Sequence, residues 1–180
     1  MTYQISITED NIFTAVRNWL ITCLNGEMVQ GWTNRVSTPA GDFVVMSGLV
    51  KEVLSSNTRL YEDPVDPEAT GFQVNKQSVD YHIQLDVYGP SAGDSASILS
   101  AAFHSDRAYP FFAAQTPPGI APLYMEDPKQ SPIVTGEQQY DQRWTMVIHL
   151  QFKPAITDVQ EFADELSVSG IISVDAEYPV

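Results

Sequence analysis

One pentapeptide in this chain has the form of a catalytic signature. Gly89-Pro90-Ser91-Ala92-Gly93 fits G-x-S-x-G, the turn that raises a serine nucleophile between a strand and a helix. Asp127 or Asp141, and then His149, follow in the order a serine hydrolase uses for its acid and base. Three features speak against it. The run before the turn alternates polar and apolar residues, whereas the strand before such an elbow is buried on both faces. Pro90 removes a backbone donor and stiffens a turn that must hold Ser91 in a strained conformation. No glycine-rich loop upstream offers a second oxyanion donor. The pentapeptide therefore reads as a strand-to-helix turn built from turn formers.

A second group of chemically able side chains is Asp80, His82, Gln84 and Asp86. They share one face of a strand, where successive neighbours lie about 6.6 Å apart. Two of them could hold an ion, but nothing at recognisable spacing completes a first shell. His104 and His149 show no partner in the sequence. The face is expected to be solvated or to meet another subunit, and no metal, cofactor or catalytic residue is expected. There is no Walker-type loop, no G-x-G-x-x-G, and no basic stripe interleaved with aromatics.

The element that positions both groups runs over residues 77–105. Val79, Tyr81, Ile83, Leu85 and Val87 alternate with Ser78, Asp80, His82, Gln84 and Asp86, a strand with one buried face. Gly89-Pro90 stops it, and Asp94 is placed to cap a helix with Ile98, Leu99, Ala102 and Phe103 on one stripe. A second long strand spans 142–152, with Trp144, Met146, Ile148, Leu150 and Phe152 on the buried face. Two such strands suit adjacent antiparallel places, with Trp144 and Leu85 buried on facing strands.

The rest is arranged around that pair. Thr8 starts a helix carrying Ile12, Phe13, Val16, Leu20, Cys23 and Leu24 at helical spacing, and Asn25-Gly26 ends it. Trp32 and Val36 are expected half-buried. Phe43-Val44-Val45-Met46 reads as an interior strand. Residues 58–61 read as a short strand, 62–71 as an exposed acidic loop, 109–114 as helical, and 122–125 as extended. Thr157 and Gln160 form a capping box for a short helix offering Phe162 and Leu166. Residues 171–174 read as an edge strand. The acidic loop and the tail after Gly170 are expected to be mobile in an isolated subunit.

Composition sets the outer bounds. With 180 residues, the chain is expected to form a single domain over 1–180, with an acidic C-terminal segment of undetermined order from about 155. Its 23 acidic and 9 basic side chains leave a net charge of −14, which argues against gripping phosphates. The lone Cys23 excludes an internal disulfide and is expected to be a small core residue. No leader-like start and no apolar run of membrane-spanning length occurs, so a cytoplasm-like compartment is expected. Of 19 aromatics, Trp32, Tyr61, Tyr124 and Tyr140 border turns, where aromatics favour protein interfaces.

Four blocks add a resemblance. Gln84-Leu85-Asp86-Val87-Tyr88-Gly89, Gly41-Asp42-Phe43-Val44-Val45-Met46, Pro122-Leu123-Tyr124 and Gln139-Tyr140-Asp141-Gln142-Arg143-Trp144 resemble, in the family's order, the neck or tail terminator proteins of long-tailed bacteriophages. The resemblance runs from the first helix to about Phe162. It implies an α+β fold with a mixed, mostly antiparallel sheet flanked by helices. It also implies a homo-oligomeric ring, a hexamer, in the tail or neck of the virion, assembled in the host cytoplasm. The ring would cap the tail-tube protein, stop its growth and face the head–tail connector protein, with DNA passing through its lumen. The family offers no catalytic residues. The interface residues expected on this reading are Asp80, His82, Gln84, Tyr61, Tyr124 and Tyr140. Two other classes compete: a hydrolase built on Ser91, and an acidic adaptor binding a basic partner.

Overall fold

The two alternating runs pair in the computed structural model, which describes residues 3–32, 39–62, 71–131, 133–134 and 140–160. In chain order the first elements are α1 (Glu9–Cys23), β1 (Glu27–Gln30), β2 (Phe43–Val53), β3 (Thr58–Glu62), β4 (Gly71–Lys76) and β5 (Val79–Tyr88). Next come α2 (Ala92–Phe103), α3 (Ala108–Ala113), β6 (Ile120–Met125), β7 (Lys129–Gln130), β8 (Ile133–Val134) and β9 (Tyr140–Asp141). The last described elements are β10 (Arg143–Phe152) and β11 (Ala155–Gln160). The result is a single α+β domain with a mixed, mostly antiparallel sheet.

The main sheet has the order β1-β2-β5-β10-β6, with β7 also on β10. Only β1 and β2 run parallel; β2, β5, β10 and β6 are antiparallel neighbours. Period-two alternation explains why β5 and β10 lie in the middle. Their apolar halves, Ile83, Leu85, Val87, Met146, Ile148 and Leu150, are buried in one cluster with Ile12, Val16 and Leu20 of α1, Leu99 and Phe103 of α2, and Phe112 of α3. Trp19 sits at the helix junction, edge-on to Phe103 at 5.3 Å between ring centroids. Trp144 packs against this core but is only half-buried, because it lies near the start of β10. All the described helices thus cover one face of the sheet, and the face carrying Asp80, His82, Gln84 and Asp86 has none.

Helix α1 begins as the sequence predicts. Thr8 accepts from the Asn11 backbone N–H and Asn11 Oδ1 accepts from the Thr8 N–H, a reciprocal cap. Its end differs: Leu24, in extended conformation, terminates it, so the left-handed cap suggested by Asn25-Gly26 is not used. Cys23 is half-buried at the core's edge, and burial raises its thiol's pKa. The N-terminal turn is tied to the sheet. Tyr81 donates to Glu9 Oε1 at 2.8 Å and Lys51 donates to Glu9 Oε2 at 2.8 Å. Burial, and then Glu9 itself, hold the Tyr81 phenol well above its ordinary range.

A three-stranded sheet, β3-β4-β11, adjoins the main one. Each of its strands continues a central strand: β2 leads into β3, β4 into β5, and β10 into β11, so the order β2-β5-β10 recurs as β3-β4-β11. Hydrogen bonds from Leu54 to Ser78 and from Gln77 to Pro154 stitch the joint. This arm corrects one sequence expectation. Thr157 and Gln160 do not cap a helix; residues 155–160 form β11, paired with β4. The β-branched Ile156, Thr157 and Val159 suit a strand, and pairing with β4 decides between the two conformations. Trp32 is a second correction. It is 87% exposed at φ +62°, not half-buried.

The other short segments appear close to where the pattern puts them, as β3, α3 and β6. Ser91, not Asp94, holds the cap position of α2, and Asp94 lies in its first turn. Val36, residues 63–70, Phe162, Leu166, residues 171–174 and the tail after Gly170 lie outside the described residues. No helix among the described residues is long and apolar enough to cross a membrane.

Candidate functional site

Two polar clusters have a geometry that could act. The first is the corner where β5 turns into α2. Asp42, just before β2, accepts from the Ser91 hydroxyl at 2.5 Å and from the Ser91 backbone N–H at 3.2 Å. Its main chain comes so close that a Cβ at Gly89 would lie 2.8 Å from the Asp42 Cα, and Gly89 has φ +108°. Only glycine suits that position. Phe43 and Tyr88, paired across β2 and β5, stack at 4.6 Å with an 8° angle. Gly93 lies beneath Trp144, where a Cβ would be 3.3 Å from the indole Nε1. Three of the four family-like blocks therefore meet at this corner, where their contacts hold the turn from β5 into α2 against the start of β2.

Ser91 is accordingly a cap residue with a carboxylate partner. His149 lies seven positions into β10 and is bonded to Asp80. Asp127 follows β6, and Asp141 is paired in β9. Among the described contacts, no histidine activates Ser91.

The second cluster occupies the face that carries no described helix. In the β5–β10 register, His82 pairs with His149, Asp80 with Gln151, and Asp86 with Thr145. The His82 and His149 rings lie 3.9 Å apart between centroids. Asp80 Oδ2 is 3.1 Å from His82 Nε2 and 3.0 Å from His149 Nδ1. Tyr124, opposite His149 on β6, stacks on its ring at 3.9 Å and 16°. Glu126 Oε1 stands 3.9 Å from His149 Nε2.

Two buried carboxylates on this face have different surroundings. Asp86 accepts from Thr145 Oγ1 at 2.6 Å and from Gln84 Nε2 at 2.7 Å, with the Arg143 guanidinium 3.5 Å away. Both its oxygens and its charge are met. Asp80 has one oxygen facing two imidazoles, while Oδ1 is buried without a partner.

The expected interface residues therefore divide. Asp80, His82 and Tyr124 come together around His149, and Gln84 supports Asp86 beside them. Asp80 is buried, so it shapes this face from beneath. Tyr61 is separate, exposed on the arm, and Tyr140 lies in the short β8–β9 pair. Two residues given no role at these clusters by the sequence are central: His149, weighed only as a hydrolase base and otherwise without an obvious partner, and Asp42, noted only within a turn and a family-like block. A signal for His149 existed. Two strands of ten residues, matched end to end in antiparallel fashion, put His82 opposite His149.

A family model described as phage neck terminator protein matches residues 10–175, extending past the limit near Phe162 suggested by the sequence blocks. No curated protein matches the chain.

Proposed function

We propose, for a chain that belongs to the phage neck terminator family, that it closes into a ring on the head-proximal end of the tail tube. There it stops tube growth and presents a surface to the head–tail connector. Six copies is the number implied by the family resemblance. A place in the virion neck, after assembly in the host cytoplasm, follows from the same reading.

The observation that supports ring closure is the arm. A sheet face with apolar side chains needs another layer to cover it. On one face of β3-β4-β11, Leu60, Phe72 and Val159 are 42%, 41% and 56% exposed, and the described helices pack on the main sheet instead. A ring requires two different patches on each subunit to meet. The arm supplies one. The second is the face that carries no described helix, with His82, Gln84 and Tyr124; Tyr61 lies on the opposite face of the arm from Leu60, and Tyr140 belongs to the β8–β9 pair. The net charge of −14 per subunit suits a lumen wall to which passing DNA does not adhere.

The test is the mass of species formed with tail-tube protein, compared between the native chain and Leu60→Asp/Phe72→Asp. The native chain is expected to give a discrete multimer on the tube. The double variant should keep its circular dichroism and fail to assemble. Equal assembly by both would remove the arm from the interface, and no assembly by the native chain would remove the ring.

A further inference from the structure

We propose that Asp80, His82 and His149 form a binding site for one divalent transition-metal ion of the zinc type, a staple between the two central strands. An Asp and two His brought together by the β5–β10 register present three ligand atoms, Asp80 Oδ2, His82 Nε2 and His149 Nδ1, to a common point. The site is independent of the terminator reading.

The geometry is that of a first shell. One ligand atom from each of Asp80, His82 and His149 lies within 4.8 Å of those of the other two. Ligands at zinc bond lengths of about 2.0–2.2 Å stand roughly 3.3 Å apart in tetrahedral geometry. The two observed oxygen-to-nitrogen separations, 3.1 and 3.0 Å, are close to that. An ion drawn between the three groups would need only small outward shifts of the rings.

Burial gives a second, independent reason. The side chains of Asp80 and His149 are 9% and 4% exposed. Among the described residues, Asp80 Oδ1, on the same carboxylate as the ligand oxygen, is buried without a hydrogen-bond partner, whereas the unpartnered His149 Nε2 is not one of the ligand atoms. A buried carboxylate with an unmatched oxygen is costly unless a charge meets it. Asp86, on the same strand face, has Arg143 beside it and donors on both oxygens, whereas Asp80 has two imidazoles and, among the described residues, no arginine or lysine. A divalent cation supplies the missing charge.

The surroundings match an outer shell. When His149 binds through Nδ1, its Nε2 carries a proton, and Glu126 Oε1 lies 3.9 Å from it. A carboxylate hydrogen-bonded to the remote nitrogen commonly orients a ligating histidine; at 3.9 Å Glu126 is beyond hydrogen-bond length and would have to close on Nε2 to take that role. Tyr124 stacked on the ring fixes its plane. Two nitrogens and one oxygen favour zinc and its neighbours over calcium or magnesium, which prefer all-oxygen shells. Two of the ligands come from β5 and one from β10, so the ion would lock the register of these strands. His82 is the ligand nearest solvent, 16% exposed, and marks the route of entry.

The experiment uses full-length protein stripped with a chelator and then titrated with Zn²⁺ by calorimetry and with Co²⁺ by visible absorption. The expected result is one ion per chain, a rise in melting temperature with Zn²⁺, and the ligand-field bands of nitrogen- and oxygen-bound cobalt. His82→Ala and Asp80→Asn should each abolish the cobalt bands, and Glu126→Gln should weaken Zn²⁺ binding about tenfold or more. His104→Ala, at the end of α2, should bind as the native chain does. If Asp80→Asn fails to fold, His82→Ala decides alone. Absence of binding by the native protein in excess metal would overturn the proposal. So would binding that His82→Ala leaves unchanged, since the ion would then sit elsewhere on the acidic surface.

Discussion

Leu85→Ala probes the packing that holds both clusters in place. Leu85 is fully buried in β5, between Met46 of β2 and Met146 of β10 in the paired register. The substitution removes three carbons, and at about 0.8 kcal/mol per buried methylene the transfer loss is about 2.4 kcal/mol. A cavity term adds to this, because hydrogen-bonded strands flank the site on both sides and cannot collapse into the space. The total expected is about 4 kcal/mol, inside the range of about 2–5 kcal/mol for buried Leu→Ala changes. Ile98→Ala is the control: Ile98 lies on α2 and is 49% exposed, so its change should stay near about 0.5 kcal/mol. The assay is urea unfolding followed by fluorescence of Trp19, which is buried against Phe103. Equal slopes for native and variant proteins would confirm that midpoints report stability. A loss below about 1.5 kcal/mol for Leu85→Ala, or one equal to that of Ile98→Ala, would refute the central placement of β5.

Other substitutions test the corner and the helix tie. Gly89→Ala should cost about 1–3 kcal/mol, through positive φ and the approach of Asp42; an unchanged melting temperature would contradict this. Ser91→Ala should cost about 1–2 kcal/mol by removing its bond to Asp42; a hydrolysis abolished by this change would contradict the non-enzymatic reading. Glu9 is held below its ordinary value of 4.5, chiefly by the hydrogen bond from Lys51 and then by that from Tyr81. A lowered carboxylate pKa gives stability that is present above pH 4.5 and lost as pH falls through the folded value. Glu9 and Lys51 are about half exposed, so the effect should stay under about 1 kcal/mol. Glu9→Gln should therefore unfold slightly more easily than the native chain at neutral pH and equally at strongly acid pH; a gap that persists in acid would contradict the sign.

The parts legible in the sequence were those with long periodicity. Residues 79–88 and 143–152 declare their buried faces by alternation, and α1 declares its start through Thr8. The turn at residues 89–93 was legible as a turn, but its partner was not, since Asp42 is 49 residues away from Ser91. The segment at 155–160 misled because Thr157 and Gln160 satisfy a local capping pattern, while its conformation is settled by pairing with β4. His149 was misjudged for the same reason. Its neighbours in sequence say nothing of Asp80, 69 residues away, and only the register across β5 and β10 brings them together. Local signals placed the elements; partners set by tertiary pairing made the sites.

The measurement closest to the central claim is electron microscopy of tail-tube protein polymerising in the presence of this chain. Capping predicts tubes whose growth stops and whose ends carry a ring of added density, with the arm between adjacent subunits. Tubes of uncontrolled length with bare ends, in the presence of excess protein, would contradict the account.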